Sequence, residues 1–107
     1  MKMFKLFCFA IIITLCFACK NDYKVRVTNY YIEVLDTVIV GKNKLIFDNV
    51  QRQSTTEYKK LENGTFGVLC ISKNKTKFST NITIPVKGKG NRTIQIDGLG
   101  KISILED

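Results

Sequence analysis

The chain has 107 residues, seventeen Lys or Arg against nine Asp or Glu, four cysteines, and no histidine or tryptophan. That length supports one small domain. The missing histidine excludes Ser-His-Asp and Cys-His catalysis and removes the commonest metal ligand.

The first element is a leader. Lys2 and Lys5 form a positive start, and Leu6 to Phe17 is apolar except for Thr14. The run is too short for a stable membrane helix, which needs roughly 20 residues. It has the length of the apolar region of a secretory signal. Its end reads Leu15-Cys16-Phe17-Ala18-Cys19. This resembles a lipobox of the looser kind found in Bacteroidetes-type lipoproteins, with Cys16 in the place usually held by Leu. The resemblance implies cleavage after Ala18, lipidation of Cys19 and anchoring in the bacterial outer membrane, on its periplasmic or its surface side. Cleavage after Ala18 without lipid, or a retained anchor, are the alternatives.

The expected organisation is a signal peptide over 1–18, a lipidated cysteine with a short tether over 19–23, and a β-domain over 24–107. Without the leader, fifteen basic residues face nine acidic ones, a formal +6. Cys70 becomes the one free thiol of the mature chain, inside the apolar run Phe66 to Ile71. That context predicts a packing role.

The rest alternates with a period of two and lacks helical spacing. Strands are expected at about 24–32, 34–40, 44–50, 56–61, 65–73, 76–84, 92–97 and 101–105. Turn signals separate them at Gly41-Lys42-Asn43, Asn63-Gly64, Lys73-Asn74-Lys75, Gly88-Lys89-Gly90-Asn91 and Gly98-Leu99-Gly100. Residues 51–56 read as a loop. Seven to eight short strands argue an all-β, small antiparallel β-sandwich.

Leu61-x-x-Gly64-x-Phe66-x-Val68 resembles the hairpin of prealbumin-like and carboxypeptidase-regulatory-like sandwich domains. The whole chain resembles small Bacteroidetes-type lipoproteins with an immunoglobulin-like or prealbumin-like domain. Asp36-Thr37-Val38 is similar to that group's O-glycosylation site, which implies Thr37 as the acceptor. The sequence contains four Asn-x-Thr triplets, which fit its Asn-rich composition.

No constellation for chemistry emerges. One cysteine cannot build a zinc or iron–sulfur site. Asp97-Gly98-Leu99-Gly100 has too few oxygen ligands for calcium, so no metal and no cofactor is expected. Asp48 and Asp97 sit beside turns, where carboxylates bond local amides. The lysine groups Lys73, Lys75 and Lys77, and Lys87, Lys89 and Arg92, are the candidate polyanion contacts, for lipopolysaccharide or an acidic glycan. Lysines at strand ends also protect edges from pairing. Few aromatics interleave with them, which disfavours nucleic acid.

The expected function is therefore a non-catalytic binding or accessory module of an envelope complex or the cell surface. Its membrane contact would be the lipid on Cys19, and its partner an envelope protein or a surface glycan. The alternatives are a polyanion binder and, third, a small hydrolase using two carboxylates.

Overall fold

The structure is a computed structural model, and it describes residues 21–107. The leader and Cys19 lie outside the described residues. Among the described residues nine strands form: β1 (Asn21–Asn29), β2 (Leu35–Val40), β3 (Leu45–Val50), β4 (Ser54–Thr55), β5 (Lys59–Leu61), β6 (Gly64–Ser72), β7 (Lys77–Ile84), β8 (Gly88–Ile96) and β9 (Ile102–Glu106). Among the described residues there is no helix.

The strands make two sheets. One has the order β4-β1-β8-β9, with β5 also pairing β1; the other has the order β3-β2-β6-β7. Their facing sides bury Val25, Val27, Val38, Val40, Phe47, Val68, Ile82, Ile84, Ile94 and Ile96. The chain is an all-β sandwich. Every pairing is antiparallel except β1 with β8, which is parallel from Asn21↔Gly88 to Asn29↔Ile96.

Local sequence explains most elements. In β7, Ile82 and Ile84 are buried while Lys77, Ser79, Asn81 and Thr83 are exposed. This is the alternation that a half-buried strand requires. The β8–β9 connection is held by Asp97, whose Oδ1 accepts from the amides of Leu99 (2.9 Å) and Lys101 (2.9 Å). Gly100 follows at φ 88°, and a Cβ there would lie 2.3 Å from the Phe78 ring. Glycine is required on both counts.

Four expectations need correction. Gly88 to Asn91 is not a turn but the start of β8, because β1 extends far enough to pair it. Asn21, Asp22 and Tyr23 belong to β1 rather than to a tether. Residues 51–56 are not wholly loop, since Ser54 and Thr55 pair Asn29 and Thr28. The Leu61 to Val68 segment is not a hairpin. Leu61 ends β5 in one sheet and Gly64 opens β6 in the other, so the turn carries the chain across the sandwich.

Asn29 closes one end of the fold. Its side chain is fully buried; Nδ2 donates to the carbonyls of Glu33 (2.9 Å) and Val50 (3.0 Å), and Oδ1 accepts from the Tyr31 amide (2.9 Å). This one amide turns the chain out of β1 and ties it to the end of β3. An unsatisfied buried polar group costs about 1–3 kcal/mol. Asn29→Ala is therefore expected to lose about 3 kcal/mol of stability, and Asn29→Asp more, since its carboxylate would face two carbonyls. Urea unfolding midpoints of the three proteins check this order.

Candidate functional site

The outer sides of the two sheets differ. On the β3-β2-β6-β7 sheet the register sets Ile46, Ile39, Leu69 and Ser79 in one row across the strands. Beside that row, Gly67 lies opposite Asn81. A Cβ on Gly67 would meet only the Asn81 Oδ1, at 3.9 Å. An open groove of about 850 Å³ runs past this bare stretch of backbone. Ile39 and Leu69 supply apolar surface, Thr65, Ser79 and Asn81 supply polar groups, and Lys42 and Lys44 stand at one end.

The β2–β3 turn positions the two lysines. Gly41 (φ 66°) and Asn43 (φ 65°) adopt left-handed backbone there, a conformation that Gly and Asn accept most readily. The Gly41 amide donates to the Gly67 carbonyl (2.8 Å), so the turn is pinned to the groove. Lys44 pairs with Glu62 at 2.7 Å. Both are exposed, so the pair contributes at most about 1 kcal/mol. No salt bridge engages Lys42 among the described residues.

The expected polyanion contacts are not brought together. Lys73, Lys75 and Lys77 lie at the start of β7, whereas Lys87, Lys89 and Arg92 follow its end. The eight residues of β7 set Lys77 and Lys87 roughly 24 Å apart along the strand, while Lys89 and Arg92 return along β8. Lys75 pairs with Asp36 at 3.1 Å. Arg92 turns to the inner side and stacks on the Tyr23 ring at 5.1 Å. A basic pair that sequence reasoning missed is Lys24 opposite Lys60, on adjacent strands and both exposed. Only the pairing of β5 with β1 reveals it.

Thr37 is half-buried on the outer side of β2, between Asp48 and Ile71. Cys70 is fully buried, and loss of hydration pushes its thiol up to about 12. Such a thiol stays protonated and unreactive at neutral pH. Among the described residues no group of three or more His, Cys, Asp or Glu could hold a metal ion. The groove contains no carboxylate, and a smaller one near Arg52 and Lys73 contains Glu33 alone.

A polar network on the other sheet also escaped the sequence reading. Tyr58 OH donates to Asp107 (2.6 Å), as does Thr93 Oγ1 to both carboxylate oxygens (2.8 and 2.7 Å). Arg26 Nε donates to Thr93 Oγ1 (3.0 Å), and its guanidinium lies 4.7 Å from the Tyr58 ring centre. Desolvation opposes ionisation of Asp107. The Tyr58 and Thr93 hydrogen bonds and the charges of Arg26 and Arg92 outweigh it, holding the carboxyl below its usual value. The hydrogen bond to Asp107 chiefly raises Tyr58. Asp97 is held down by the Lys101 and Leu99 amides. Neither carboxyl is kept protonated, as a general acid would be.

No family model and no curated protein matches the chain. Among solved structures, one described as the NMR structure of the protein from Eubacterium rectale is similar, with a TM-score of 0.54 and 13% identity. The match covers 81% of this chain and 89% of that one. It supports the fold alone.

Two outcomes follow. Asp97 and Asp107 have depressed pKa values in the fold, so their stabilisation is complete above the unfolded carboxylate value of about 4 and is lost as pH falls through the folded values. The urea midpoint should not fall on their account between pH 7 and about 5, and should drop below pH ~4. Asp97→Asn should flatten that drop. Cys70 should resist iodoacetamide at pH 8 in the native protein and react on unfolding, read by peptide mass spectrometry.

Proposed function

We propose that this protein is a membrane-anchored lipoprotein of the bacterial outer membrane that works as a non-catalytic interaction module, binding an envelope protein or a surface glycan. The groove around Gly67 carries the reading. It is wide, open and free of carboxylates, with an apolar floor and a basic end. Such a surface suits holding a partner rather than enclosing a reaction.

The start of β1 supports the anchor. Asn21 is already in the strand, two residues beyond Cys19. Two extended residues reach at most ~7 Å. A diacylglyceryl group on Cys19 would hold this end of the sandwich close to the bilayer. Mass spectrometry of the mature N-terminus tests it; an unmodified Cys19 would remove the anchor.

The partner is tested by crosslinking in intact envelopes with Gly67→Leu. The added side chain enters open space on an exposed strand face. Stability should stay within about 0.5 kcal/mol, while recovery of crosslinked partners falls at least several-fold. Unchanged recovery would remove the groove from the function.

The Lys24–Lys60 pair favours a second reading, electrostatic binding of a polyanion. Like charges on directly opposed residues destabilise a sheet, and a phosphate or carboxylate between them would relieve the repulsion. Lipopolysaccharide binding by this route should weaken steeply between 50 and about 200 mM salt and with Lys24→Gln. Salt-independent binding would exclude it.

A further inference from the structure

Of the strands at the sheet margins, β7 differs from the others. On the far side of its own sheet, β3 has Asn49 in a left-handed conformation (φ 53°), and Lys59 Nζ donates to its Ile46 carbonyl at 2.8 Å. In the other sheet, β4 and β5 have two and three residues, and β5 contributes Lys59 and Lys60. Strand β9 has five residues and ends on Glu106. Short strands, irregular backbone and charges are the usual protections of a free edge.

Strand β7 has little of this protection. It runs eight residues, Lys77–Ile84, with its one charge at the first position. Its pairing to β6 continues without a register shift from Ile71↔Lys77 to Gly64↔Ile84. Among the described residues, β7 pairs with no strand other than β6. A long, regular and nearly uncharged edge is a template for another strand.

We propose that β7 pairs with β7 of a second copy of this chain, antiparallel about a two-fold axis at Asn81, to join the β3-β2-β6-β7 sheets of the two copies into one. The edge is self-complementary in this register. Ser79 meets Thr83 on the outer side, and Phe78 meets Ile84 on the inner side. Lys77 falls opposite the uncharged Pro85, so no like charges oppose. Hydroxyl and apolar pairs of these kinds stabilise neighbouring strands.

A separate observation selects a second copy as the occupant. Among the described residues, Leu99 and Val86 are the two most exposed large apolar side chains, at 92% and 70%. Val86 follows the end of β7. Leu99 lies toward its beginning, since the neighbouring Gly100 packs against the Phe78 ring. An antiparallel two-fold sets the start of one β7 beside the end of the other. It therefore brings Leu99 of each copy toward Val86 of its mate.

Disulfide trapping of the full chain in its own membranes tests the pairing. Residues facing each other across antiparallel strands have Cα atoms about 4.5–5.5 Å apart, within disulfide range. Under mild oxidation Asn81→Cys should give a covalent dimer at least ten-fold above two controls. One is the unsubstituted chain, which measures the background from its own cysteines. The other is Thr65→Cys, exposed on the inner strand β6. Adding Leu99→Lys and Val86→Lys to Asn81→Cys should cut the dimer several-fold, with protease resistance of each copy unchanged. Equal crosslinking at positions 81 and 65, or none at 81, would overturn the proposal.

Discussion

Strand β1 sits inside its sheet, with β8 along one side for nine residues and β4 and β5 sharing the other. The parallel partner begins 67 residues further along the chain. A parallel pair cannot be closed by a tight turn, so everything between must travel away and return. The intervening residues do this by building the second sheet. The chain leaves β1 near Asn29, forms β2 and β3, revisits the first sheet with β4 and β5, then forms β6 and β7 before entering β8. Val25 and Val27 on β1 and Ile94 and Ile96 on β8 form the floor on which the second sheet packs. Burying each is worth ~1.5–3 kcal/mol.

The polar side chains complete what the core begins. Among the described residues no buried side-chain nitrogen or oxygen lacks a partner. Asn29 serves one end of β1. Near the middle of β1, Arg26, Thr93, Tyr58 and Asp107 join β1, β8, the approach to β5 and the segment after β9. These ties occupy the outer side of the first sheet. The outer side of the second sheet keeps Ile39 and Leu69 beside the bare backbone of Gly67. The division of labour between faces leaves the second sheet free for contacts outside the chain.

Fold class was legible because period-two alternation reports a half-buried strand wherever it is long enough. The expected 65–73, 76–84 and 101–105 lie within a residue or so of β6, β7 and β9. Failures came where partners override local chemistry. Gly88-Lys89-Gly90-Asn91 has the composition of a turn, yet β1 supplies it with a parallel strand. Leu61 to Val68 reads as a hairpin because glycine and a returning aromatic look alike in a hairpin and in a step between sheets. The groove was illegible for a related reason: Gly67 says nothing until its neighbours across three strands are known. Lysine positions were readable along the chain, but the distance between the groups depends on β7 being one uninterrupted strand.

The order of the chain has a consequence for how this sandwich comes into being. Residues 35–84 contain all four strands of the second sheet, joined by antiparallel pairing alone. Strand β1 precedes them, and its full-length neighbour does not exist until residue 96 has been made. Among the strands, β1 is thus the first to emerge and waits longest for its full-length partner. Val25 and Val27 stay uncovered by β8 for most of synthesis, and any route that delivers the chain must tolerate that delay.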